Sequence, residues 1–195
     1  MIVWLSKKTT YYIIKKTKPT YSVDMYNYAF FIIYSTLFFG VFSLIVGIIF
    51  HIGLESVIFF CSFQAIRIYA GGFHSSKEIY CEIITSSLLL ISLLLIKLLI
   101  PIKFTFFILL IVLFSTIVIY FLAPMDSSEK PLTKDDYMKF RFISRIILVF
   151  LLLLVFMFFS FKNNSLFVTF SMSLILESVL LIAGKLKQLL SSKNL

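Results

Sequence analysis

One histidine and one cysteine, His74 and Cys81, lie seven residues apart in the stretch RIYAGGFHSSKEIYC, residues 67–81. Sulfur and imidazole together can attack a carbonyl, because a free thiol is scarcely ionised at neutral pH and a neighbouring imidazole can take its proton. The stretch is the one polar cluster with that capacity in a chain that is otherwise nearly unbroken hydrocarbon. It is therefore the first candidate for a site.

Geometry limits how the two side chains can meet. On one straight helix, residues seven apart share a face but stand roughly 10.5 Å apart along the axis, beyond hydrogen-bond reach. Ser75, followed three residues later by Glu78, forms a capping-box pattern that predicts a helix start at Ser75 and leaves His74 in the preceding turn. Gly71 and Gly72 supply the sharp bend, since glycine enters left-handed backbone without steric cost. His74 can then fold back toward Cys81, and free N–H groups near the helix start favour negative charge there. The same residues also fit a polar histidine at a membrane surface and a small apolar filler cysteine. Spacing alone leaves both readings open.

Other chemistry-bearing residues carry less. Cys61, within VIFFCSF, has no charged neighbour and reads as structural, and His51, at the end of an apolar stretch, reads as interfacial. No metal is expected, because His74, Cys81, Glu78 and Glu82 do not form a recognisable ligand set. No cofactor is expected either, since neither a phosphate-binding loop nor a dinucleotide fingerprint occurs. Gln64, Glu78, Glu82 and Asp126 are each candidates to orient the imidazole. Glu177, in LILESVLLIAG, is an ionisable group inside an apolar span; it is expected to face the interior, with Arg67 as a candidate partner.

The elements that must position these residues are membrane helices. Of 195 residues, 61% are hydrophobic and 14% charged, and the mean hydropathy is +1.05, far outside the soluble range. The expected fold is an all-α polytopic membrane protein, one membrane domain over residues 1–195. Residues 1–27 form an interfacial amphipathic segment rather than a cleaved signal peptide, because lysines interrupt every apolar run. About six spans follow, near residues 28–50, 54–66, 83–100, 104–123, 146–161 and 165–183. The second is short and could be a tilted span or a re-entrant segment. Residues 28–123 thus hold four spans and the 67–81 motif, 124–145 a water-facing loop, 146–184 the last two spans, and 185–195 a basic tail.

Charge predicts the orientation. The net charge is +9, and 15 of the 18 Lys and Arg residues fall in the N-terminal segment, the motif, the long loop and the tail. An even number of spans puts all four on one side, which the positive-inside rule makes cytoplasmic. Lys97, Lys103 and Lys162 lie on the other. The motif would then face a reducing compartment that keeps its thiol free. In a membrane protein this basicity points to anionic headgroups, not to nucleic acid.

An arginine, a glycine pair, a histidine and a cysteine seven residues later, flanked by apolar spans, resemble the accessory gene regulator B (AgrB) family, and the loop APMDSSEKPL resembles a proline-rich loop of the same family. The resemblance implies a membrane cysteine endopeptidase of the bacterial cell membrane that cuts an AgrD-like propeptide during maturation of a cyclic quorum-sensing peptide. It implies Cys81 as nucleophile, His74 as base, and a homodimer. Arg67, Gly71, Gly72, Ser75, Glu78, Lys130 and Glu177 form the expected supporting or substrate-binding set. The alternative is a small transporter or helix-packing subunit in which Arg67 and Glu177 contact a solute or each other.

Overall fold

A computed structural model describes residues 2–16, 22–72, 78–102, 105–125 and 133–192. Seven helices account for nearly all of them: α1 (Ile2–Lys16), α2 (Val23–Ile49), α3 (Gly53–Ala70), α4 (Glu78–Leu99), α5 (Thr105–Leu122), α6 (Lys134–Ser160) and α7 (Asn164–Ser192). Five of these, α2, α4, α5, α6 and α7, are long and apolar enough to cross a bilayer. The protein is an all-α polytopic membrane protein, as its composition requires.

Residues 1–42 and 43–195 form two compact units. In the first, α1 turns a stripe of Ile2, Ser6 and Thr10 inward, at the i, i+4, i+8 spacing of one helix face, while Trp4, Tyr11 and Tyr12 are exposed. Lys8 lies over the Trp4 ring and Lys16 over the Tyr12 ring. Thr9 Oγ1 and Tyr34 Oη share a hydrogen bond of 2.8 Å, which ties α1 to α2 within the unit.

The second unit is a bundle built around α7. Four helices each bury one stripe. On α3 it is Ser56, Phe59, Phe63, Ile66 and Ala70, on α4 Leu89, Leu93 and Ile96, on α5 Ile108, Val112, Ser115 and Ile119, and on α6 Ser144, Leu148, Leu151 and Val155. These spacings of three and four keep the stripe on one side. By contrast α7 is buried nearly all round from Phe167 to Leu181. Its hydroxyl residues Thr169, Ser171, Ser173 and Ser178 let neighbouring backbones approach closely, the usual basis of helix packing where lipid removes the hydrophobic drive. Opposite faces carry Phe106, Phe107, Phe114, Phe121, Phe142 and Phe150 fully outward, a surface suited to acyl chains.

Helices α3 and α7 run parallel. Ser165 Oγ donates to Glu55 Oε1 at 2.6 Å near the start of both helices, and Arg67 Nη1 lies 3.8 Å from Glu177 Oε2 further along both. The offset is 110 residues in each pair, so α3 and α7 keep a constant register. At the end of the bundle near Glu55, Asn164 Nδ2 donates to the Ile100 carbonyl and lies 3.5 Å from that of Leu99, closing the last turn of α4. The turns at that end are left-handed at His51 (φ 60°) and Lys162 (φ 55°). The last turns of α2 cross α3 at Gly47, where a Cβ would fall 2.1 Å from Ser56 Oγ.

Several helix ends differ from the sequence expectation. Residues 134–145, read as the second half of a loop, are the first three turns of α6. Thr133 Oγ1 accepts from the Asp136 N–H at 3.2 Å, and Asp135 and Asp136 sit in the first turn, where carboxylates are favoured. In the same way α7 runs through most of the basic tail to Ser192. The short second stretch is α3, 18 residues long and not one of the five span-length apolar helices. At about 1.5 Å per residue it extends some 27 Å. Arg67 does not end it; the helix continues for three residues to Ala70.

Candidate functional site

The 67–81 motif begins on the last turn of α3. Gly71 terminates that helix at φ 75° and ψ −142°, and Gly72 follows at φ 129°; both lie in the positive-φ region open to glycine. Space demands glycine as much as backbone does. A Cβ on Gly71 would meet the Met125 carbonyl oxygen at 2.6 Å, and one on Gly72 would meet Arg67 Nη1 at 2.0 Å. The bend anticipated from the glycine pair is present, and it is packed on two sides.

Arg67 holds the bend through both backbone and side chain. Its carbonyl accepts the Gly71 N–H at 3.1 Å, and its Nη1 donates to the Gly71 carbonyl at 2.7 Å. The guanidinium, mostly buried, faces Glu177 of α7 across 3.8 Å. Glu177 is fully buried, and both its carboxylate oxygens are without a hydrogen bond among the described residues. The interior placement expected of Glu177, and its pairing with Arg67, are what the structure contains. One residue on, Ser178 Oγ donates to Ser115 Oγ of α5 at 3.0 Å, which fixes the rotation of α7 at this level.

Met125 belongs to the site, though no site role is legible for it in sequence. After α5 the chain turns through Ala123 and Pro124, and the Met125 N–H donates to the Ala70 carbonyl at 2.8 Å. An orphan carbonyl at the end of α3 is thereby satisfied from another segment. Its sequence signal is indirect: APMDSSEKPL resembles the same family as the motif, and the structure lays its beginning against the glycine pair. Nearby, Tyr69 of α3 stacks edge-on with Phe140 of α6 at 5.8 Å, and Arg145 of α6 covers the Tyr120 ring of α5 at 4.1 Å.

The remaining expected residues are unevenly covered. His74, Ser75 and Lys130 lie outside the described residues, as does the helix start predicted at Ser75. The backbone of Glu78 and Cys81 is helical, on the first described turn of α4. Cys61 is a free, exposed thiol on α3, and His51 is an exposed turn residue. Arg67, Gly71, Gly72 and Glu177 are brought together at one place.

The model of the accessory gene regulator B family, AgrB, matches residues 6–181. The chain belongs to the AgrB family. The match takes in the 67–81 motif, the segment over the bend, and Glu177, so the clustered residues are all within the AgrB-like part. Membership places the protein in accessory-gene-regulator quorum sensing, at a membrane. No curated protein and no solved structure matches the chain.

Proposed function

We propose that this AgrB family member is a membrane-embedded cysteine endopeptidase that cleaves an AgrD-like propeptide through a thioester on Cys81. The observation that carries the reading is the family match across residues 6–181, which contains both His74 and Cys81. The packed Gly71–Gly72 bend supports it, because a helix break before His74 is what the histidine needs to leave the axis it would otherwise share with a cysteine seven residues on.

In this reading the Cys81 thiol gives its proton to His74 and its sulfur bonds to the scissile carbonyl carbon. The C–N bond then breaks, His74 returns the proton to the leaving amine, and the C-terminal fragment departs. The N-terminal fragment stays on sulfur as a thioester. An internal thiol of that fragment attacks the same carbonyl, forms a thiolactone and frees the Cys81 thiol; excluding water favours this over hydrolysis. Lys130, Ser75 and Glu78 are assigned to substrate binding and support. The basic face, the cytoplasmic orientation, the anionic-lipid contact of α1 and a homodimer belong to the same proposal.

The test is incubation of the purified protein with the propeptide encoded beside its gene, read by mass. Two fragments from wild type and none from Cys81→Ala or His74→Ala are expected. Unchanged cleavage by Cys81→Ala overturns the reading.

A further inference from the structure

A fully buried carboxylate that accepts no hydrogen bond is an unusual feature of a helix core. Among the described residues Glu177 has this character on α7, the most buried helix of the bundle, and its one charged neighbour there is Arg67. Stability alone does not account for such a pair, since well-packed apolar residues in place of a buried ion pair are often as stable or more so. An arginine near a helix end would ordinarily extend its long stem toward headgroups and water. Here the guanidinium turns inward, to a place that exists only because Gly72 has no Cβ. What it does there is specific: it donates to the Gly71 carbonyl at 2.7 Å while the Arg67 carbonyl accepts the Gly71 N–H at 3.1 Å. One residue therefore grips both polar groups of Gly71, and Glu177 keeps its side chain in the grip.

We propose that Glu177 is a positioning residue of the peptidase site, acting through Arg67 to fix the Gly71 peptide and so the direction in which the chain leaves for His74. The inference rests on the cysteine–histidine reading. In this role Arg67 and Glu177 act through the backbone of Gly71 rather than on the reacting atoms. They set where the imidazole-bearing segment starts, and a displacement of about 1 Å at that origin is enough to cost a reaction on the order of 100-fold.

Alkylation of Cys81 by iodoacetamide reports the site without any propeptide, because only the thiolate reacts. The experiment uses the full-length protein in detergent with Cys61→Ala, which removes the exposed second thiol. His74→Ala is the reference for a lost base: its alkylation rate near neutral pH should fall, and an unchanged rate would refute the cysteine–histidine reading itself. Arg67→Met combined with Glu177→Leu removes both polar groups of the pair. We expect it to melt like the parent yet alkylate as slowly as His74→Ala and lose propeptide cleavage about 100-fold. If the double variant recovers both the melting temperature and the rates, the pair is structural and the inference falls. Arg67→Lys decides the matter even if the double variant does not fold: it keeps a charge opposite Glu177 but loses the planar donor fork. Slow alkylation by folded Arg67→Lys supports positioning, and the parent rate contradicts it.

Discussion

The two ends of α3 are both tied to α7 through a carboxylate, on opposite terms. Near its start, Glu55 accepts a short hydrogen bond from Ser165, at an end of the bundle where Asn164 also closes the last turn of α4. Near its end, Glu177 is buried beside Arg67, with no hydrogen bond among the described residues, next to two glycines whose backbone only glycine readily adopts. The first arrangement satisfies a polar group of each helix. The second leaves a carboxylate without a hydrogen bond among the described residues, beside an arginine that donates to the Gly71 bend. Folded proteins tolerate such local conflict at sites of function, where the surrounding packing over-determines it.

The contrast can be broken at several points. Glu177→Leu by itself takes the carboxyl away from a mostly buried guanidinium, so the largest loss of stability is expected there, about 3 kcal/mol, seen as a lower melting temperature in detergent. Gly72→Ala should spare more of the fold but displace the guanidinium, with propeptide cleavage falling on the order of 100-fold. At the other end, Ser165→Ala removes the Glu55 hydrogen bond and should cost about 1–2 kcal/mol in thermal unfolding, with cleavage kept at fixed folded protein. Gly53→Ala should do least. Its Cβ would meet Ile48 at an ordinary 3.7 Å, and a change within about 0.5 kcal/mol is expected. Equal loss of cleavage per unit of lost stability at the two ends would remove the distinction between them.

Much of this arrangement is legible in the residues. Uninterrupted apolar runs locate α2, α4, α5 and α7, and the glycine pair locates the bend that ends α3, because both signals are local. An acidic residue in an apolar span marks Glu177 for the interior on cost alone. What sequence hides is relational. The charges of Lys134 to Arg145 look like a loop until Thr133 is seen capping the helix that carries them. All the spans are similarly apolar, so nothing but the serines and threonines of α7 hints that it is the central one. Charge alone suggests Arg67 as a partner for Glu177, but the constant register of α3 and α7 that brings them together is in no local pattern. Met125 enters the site for the same reason, through a contact between distant segments.

The account stands most directly on the fate of the propeptide carbonyl at Cys81. Intact mass of the full-length protein, quenched in acid seconds after mixing with propeptide, should show Cys81 heavier by the acylated N-terminal fragment, an adduct that hydroxylamine removes. Propeptide cleaved at the normal rate with no such adduct, and still cleaved by Cys81→Ala, would contradict it.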